Sequence, residues 1–249
     1  MTNTIRFTGV LLFSFILLNS CQDINGDDMT KETAANPVAL IEKVLSAEEQ
    51  KALTPEMIIE SLKEGNKRFM NNSVTARDHS AMVRNAAPGQ YPKAVVLSCL
   101  DSRIPVEDVF DKGIGDLFIC RIAGNIINED LLGSMEYGCK VSGSKLILVM
   151  GHESCGAIKA AIDHVELGNI TALLAKVNPA IINSETFTGE HVSKNKDYVE
   201  LVAKNNVVNS IKAIKAKSPI LKEMADKGEI KIVGAYYNLS NGEVIFIKE

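Results

Sequence analysis

Apolar positions along the 249-residue chain gather into short unbroken runs separated by amphipathic stretches. Lys93 to Ser98 carries Ala-Val-Val-Leu behind Pro92, and Asp116 to Ile122 carries Leu-Phe-Ile-Cys-Arg-Ile. Lys145 to Met150 carries Leu-Ile-Leu-Val-Met, and Glu229 to Tyr236 is a fourth run. Runs this short, with little polar alternation, predict strands buried on both faces. Asn241-Gly242 predicts a hairpin turn into a last strand, Glu243 to Ile247. Thr54-Pro55-Glu56 supplies a capping hydroxyl, a first-turn proline and an acid at a helix start. Met57, Ile58, Leu62 and Phe69 then recur at helical spacing, to an end near Met70 to Asn72. Leu131 to Val141, Gly156 to Val165, Lys196 to Lys215 and Ile220 to Lys227 are the other predicted helices, and Gly168 to Gly189 reads as an irregular surface excursion. Strands alternating with helices predict an α/β fold. Its central, mainly parallel sheet has four parallel strands plus an antiparallel edge strand, flanked by helices.

The N-terminus follows different rules. Arg6 precedes Phe7 to Leu18, an apolar run too short to span a bilayer but suited to a secretory signal. Leu18-Asn19-Ser20-Cys21 resembles a bacterial lipobox, with Asn19 an unusual middle residue. On that reading Cys21 is lipidated, and the protein is exported and anchored to a bacterial membrane on its periplasmic or cell-surface side. An ordinary cleaved signal with an incidental cysteine is the alternative. Residues 1–20 are thus the expected signal and 21–50 a flexible acidic tether, with a frayed helix near Val38 to Leu45. Residues 51–249 are expected to form one sizeable domain. The net charge of −4 and the lack of basic clusters argue against nucleic acid as a partner.

Candidate chemistry concentrates in two strings, Cys99-Leu-Asp101-Ser-Arg103 and His152-Glu-Ser-Cys155. Each follows a predicted strand, so both fall on the carboxyl rim where α/β sheets bind ligands. Cys and His are the donors zinc prefers, and three protein ligands leave one corner of its tetrahedron open, as in a catalytic site. Cys99, His152 and Cys155 are the expected ligands of one Zn2+. Asp101 is placed to accept a hydrogen bond from a metal-bound water, and Arg103 to keep Asp101 ionised. The alternative for that pair is a surface ion pair at a strand end. Cys120 and Cys139 complete five cysteines with Cys21. A Cys99–Cys155 or Cys120–Cys139 disulfide competes in an exported protein, with free buried thiols expected for the second pair. His79, His164 and His191 have no ligand spacing and are expected exposed.

These strings, with Gly65-Asn-Lys-Arg-Phe69, Arg121-Ile-Ala-Gly-Asn125 and Glu136-Tyr137, resemble the β-class carbonic anhydrases from about Thr54 to Ile247. The resemblance implies hydration of carbon dioxide to bicarbonate by zinc hydroxide, and assembly as a homodimer or homotetramer. It also implies substrate contacts from Gln90, Phe118 and Tyr137. In a closed state of such a site, Asp101 would be a fourth zinc ligand. Some family members carry an inhibitory bicarbonate pocket with a tryptophan where this chain has Val96, and the chain contains no tryptophan. That difference predicts an open site near neutral pH. Arg121 and either Tyr236 or Tyr237 are the remaining candidates for that pocket. Rival readings are a same-fold hydrolase of carbon disulfide or carbonyl sulfide, a non-catalytic zinc-binding lipoprotein, and a redox protein with a Cys99–Cys155 bridge.

Overall fold

The computed structural model describes residues 40–247, so the expected signal and Cys21 lie outside the described residues. In chain order the elements begin with helices α1 (Ala47–Ala52), α2 (Pro55–Met70) and α3 (His79–Ala86), then strand β1 (Ala94–Ser98). Next come α4 (Val106–Val109), β2 (Leu117–Arg121), α5 (Glu129–Glu136) and β3 (Leu146–His152). Then follow α6 (Gly156–Ile162), α7 (Gly168–Leu174), α8 (Asn178–Ile182), α9 (Lys196–Lys217) and α10 (Pro219–Asp226), with β4 (Lys231–Tyr237) and β5 (Val244–Ile247) last.

The sheet runs β2-β1-β3-β4-β5, parallel throughout except for the β4–β5 pair. This is the predicted α/β architecture. Successive residues of the central strands serve opposite layers, as the period of two requires. Val95, Leu97, Ile147 and Val149 join the layer under α9 and α10. Val96, Leu146, Leu148 and Met150 join the layer packed on α2. Both layers are apolar, which is why these strands read as unbroken runs.

Helix α2 shows how closely the layers meet. A Cβ on Gly65 would lie 1.8 Å from the Phe110 carbonyl oxygen, so only glycine lets the helix approach there. The buried Asn66 next to it donates from Nδ2 to the Val109 and Gly242 carbonyls, and its Oδ1 accepts from the Val244 amide. One side chain thereby ties α2 to the terminal hairpin. Asp111, at φ 48°, is a second hub: its side chain is fully buried and accepts from Arg68, Arg77 and both the amide and hydroxyl of Thr75.

Several expectations need correction. Val38 to Leu45 does not supply a helix where described: Ile41 is extended and bridges Arg77, its amide donating to Ala76 O at 2.9 Å. The helix starts later, at α1, because Ser46 and Glu49 form a reciprocal capping box. Gln50, placed in the tether, is buried and donates to the carbonyls of Pro92 and Ser142. Gly168 to Gly189 contains α7, α8 and a 3-10 turn, and Leu174, Val177 and Ala180 bury their side chains. Helix α3, capped by Asp78, was not anticipated. The helix expected to continue to Val141 instead widens into a π turn at Tyr137–Val141. There Gly138 presses on the sheet, where a Cβ would meet Val95 Cγ2 at 2.6 Å.

Candidate metal centre

Strands β1 and β3 are neighbours in parallel register, Ser98 opposite Met150. Cys99 follows β1 directly, and His152 is the last residue of β3 rather than the first beyond it. Ser154, at φ 53°, turns the chain so that Cys155 caps α6 and faces back toward Cys99. All three side chains are buried, with ligand atoms within 4.8 Å of one another.

The donor chemistry suits zinc. The two sulfurs lie 4.0 Å apart and both cysteines are free. A disulfide needs about 2.05 Å, whereas two sulfurs on a tetrahedral ion with Zn–S of about 2.3 Å sit about 3.8 Å apart. His152 Nδ1 is 2.9 Å from the Glu153 carbonyl oxygen. A carbonyl only accepts, so Nδ1 carries the proton and Nε2 keeps its lone pair. That Nε2 is buried without any hydrogen-bond partner. A bare basic nitrogen facing two sulfurs fits a metal ion.

The surroundings stabilise negative sulfur. A hydrogen bond from Cys155, with smaller contributions from the amides of Gly124 and Asp101, pulls the Cys99 thiol below its ordinary range despite burial. The Gly124 amide donates to Cys99 Sγ at 3.3 Å. Gly124 sits at φ 68°, and its carbonyl accepts from Asn206 Nδ2 of α9 at 2.7 Å.

Asp101 stands at the rim. Arg103 donates to it from its backbone amide and Nε at 3.0 and 2.9 Å and from Nη2 at 2.7 Å. The Arg103 guanidinium holds the Asp101 carboxyl well below the usual carboxylate range. Asp101 Oδ2 lies 4.0 Å from His152 Nε2, beside the triad. A family model for carbonic anhydrase matches residues 94–244, spanning both strings. The chain belongs to the β-carbonic anhydrase family.

The chain is 33% identical over 194 residues to carbonic anhydrase 2 of Mycobacterium tuberculosis, covering 74% of this chain and 89% of that one. It is 32% identical over 191 residues to the carbonic anhydrase of Mycolicibacterium smegmatis, with the same coverage of 74% and 89%. A tetrameric β-carbonic anhydrase from Sordaria macrospora superposes with a TM-score of 0.61 at 21% identity, over 78% of this chain and 95% of that one. At that identity the likeness is one of fold.

Not every expected site residue of this β-carbonic anhydrase reaches the triad within one chain. Gln90 is exposed and precedes β1, at the rim opposite Cys99. Phe118 pairs in register with Val95, four residues before Cys99, or about 13 Å along the sheet at about 3.3 Å per residue. Its ring meets Tyr137 edge-on at 6.4 Å, and together they line an open groove beside β2, whose outer edge is unpaired among the described residues. His79, His164 and His191 are exposed as expected. Cys120 and Cys139 are free, and burial pushes the Cys139 thiol up to about 12.

Three contributors carried no readable signal of this role. Arg121 was a candidate for an anion pocket, but its guanidinium donates to the carbonyls of Cys99 and Asp101 and braces the metal loop. Glu153, given no role, accepts from the Leu239 amide at 3.0 Å and so pins the second string to the chain after β4. Asn206 lies far from both strings in sequence, on a helix, and only the fold brings its amide to Gly124.

Proposed function

We infer that Cys99, His152 and Cys155 hold one zinc ion and that the enzyme uses it for the reversible hydration of carbon dioxide to bicarbonate. The observation that carries this reading is the bare, buried His152 Nε2 facing two free sulfurs, with the Asp101–Arg103 pair beside them. When bound there, zinc supplies the Lewis acidity that makes a water nucleophilic near neutral pH. Asp101, held ionised by Arg103, is placed beside the triad where it would accept a hydrogen bond from such a water and fix its orientation. Arg103 occupies both carboxylate oxygens, which supports an open resting site rather than Asp101 ligation. Val96 is wholly buried in the α2 layer, where a tryptophan would not fit without repacking.

Gln90, Phe118 and Tyr137 serve a site completed by a second copy. Their distance from the triad within one chain and the unpaired β2 edge support a homodimer or a larger assembly. Lipidation at Cys21 would anchor the enzyme to a bacterial membrane, a proposal resting on the lipobox-like string. Cys21→Ala should release the protein from the membrane fraction with its hydration rate intact. A wild-type protein without acyl chains would contradict it.

The decisive experiment measures zinc content and stopped-flow hydration on wild type, Cys99→Ser and His152→Ala. Both variants should lose metal and activity together. Hydration persisting in a zinc-free variant would overturn the assignment. Sulfide release from carbon disulfide or carbonyl sulfide, run in parallel, separates the rival substrates.

A further inference from the structure

Behind the metal loop, α9 leaves a cavity of about 300 Å3 against Ile127 and the Pro179 end of α8. This is at the lower end of the range of small-molecule sites. Asn206, Asn209, Ser210 and Ala213 line it from one face of α9, at the three- and four-residue spacing that groups helical side chains. Ile127, Pro179 and Ala213 make part of the wall apolar. Lys176 and Lys217 also line it, both exposed, and neither joins an ion pair among the described residues. No carboxylate lines the cavity.

One buried donor on this wall lacks an acceptor. Asn209 Oδ1 accepts from Asn183 Nδ2 at 3.0 Å. Its Nδ2 is buried with no partner. An unmet buried donor is costly, so an acceptor delivered to it is favoured. Two unpaired cations beside it set the sign of that acceptor, and the apolar wall sets the rest of the ligand.

We propose that this cavity binds a small carboxylate with a compact apolar body, of the size of benzoate, its oxygens taken by Asn209 Nδ2, Lys176 and Lys217. Occupancy reaches the metal centre through the same wall. Asn206 Nδ2 donates to Gly124 O at 2.7 Å and Ser210 Oγ to Asn125 O at 3.0 Å, while the Gly124 amide holds Cys99 Sγ at 3.3 Å. A ligand packed on Asn206 and Ser210 restrains that turn and slows metal loss, a consequence that rests on the zinc reading.

Calorimetry of the metal-loaded protein with benzoate tests the site, with benzamide as the neutral comparison. Benzoate should bind saturably, and benzamide about tenfold or more weakly. The double variant Lys176→Gln/Lys217→Gln should weaken benzoate about tenfold or more, and Ala213→Leu, which fills the cavity, should abolish binding. Both variants should keep wild-type zinc content and basal hydration. A chelator-capture assay should show slower zinc release with benzoate present. No saturable binding, or binding indifferent to the lysine pair, would place benzoate elsewhere and overturn the proposal. Binding with unchanged zinc release would overturn the link to the metal loop alone. Failure of the zinc reading itself would appear as absent metal and would leave the calorimetry informative.

Discussion

Asn206→Leu isolates the support that α9 gives the metal loop. The substitution keeps approximate shape and removes the Nδ2 that donates to Gly124 O at 2.7 Å in a buried setting. The carbonyl is left without that donor, at a cost of about 1–3 kcal/mol. For a domain of this size each kcal/mol lowers the melting temperature by about 2–4 °C, so a fall of about 2–12 °C is expected. The effect on the metal is separate and more telling. Gly124 presents its amide to Cys99 Sγ, and loss of such support for a ligand typically weakens metal binding about 10–100-fold. Zinc affinity by chelator competition, measured at 25 °C where the variant stays folded, reads this directly. Asn206→Asp tests the chemistry further: an acceptor facing a carbonyl should be at least as damaging. A melting temperature that drops with zinc affinity unchanged would show that Asn206 only packs, and the link from α9 through Gly124 to Cys99 would fail.

Asp111→Asn should destabilise the fold by about 3–5 kcal/mol, since it uncovers Arg77 in a buried site, while zinc content at low temperature stays normal; urea titration checks the first and metal analysis the second. Burial alone would raise the Asp111 carboxyl, but Thr75, Arg68 and Arg77 outweigh it and hold the pKa well below the usual range. A depressed folded-state pKa contributes stability above the unfolded value near 4 and loses it as pH falls further, so wild type should weaken steeply below about pH 4 and Asp111→Asn less so. Gly65→Ala should cost at least about 3 kcal/mol or prevent folding, because α2 must move off the Phe110 carbonyl; wild-type stability by calorimetry would contradict the close approach. Arg103→Ala should keep zinc yet lower hydration at pH 7.5 by about tenfold or more, as Asp101 loses the partner that holds it in place. A near-wild-type rate would mean that Arg103 is only a surface partner.

The sheet was legible because β1 and β3 are apolar on both faces, which leaves an unbroken signature, and because Asn241-Gly242 marks the hairpin. The triad was legible because its two strings are local and their strands are adjacent. What stayed hidden depends on contacts distant in sequence. Helix α3 is short and only half apolar, and its start rests on the single Asp78 cap. Ile41 takes its extended form from pairing with Arg77, a partner its own neighbours do not announce. Buried Leu174, Val177 and Ala180 are spaced at helical intervals, but polar Asn178 and exposed Pro179 interrupt the pattern. Gln90 and Phe118 match a family pattern by their spacing from Cys99 and Arg121. That spacing says nothing of which chain's metal they face; the register of β1 sets Phe118 opposite Val95, about 13 Å along the sheet from Cys99.

The 4.0 Å between the Cys99 and Cys155 sulfurs also bears on maturation. Free sulfurs so close, one of them inclined to ionise, are the reactants of a disulfide as well as the ligands of a cation. An oxidant and a divalent metal therefore compete for the same two atoms. Metal that arrives first withdraws the lone pairs and protects both thiols from oxidation. An oxidant that arrives first consumes two of the three ligands and leaves His152 alone. In an oxidising medium, the order of those arrivals decides whether a folded chain becomes an enzyme.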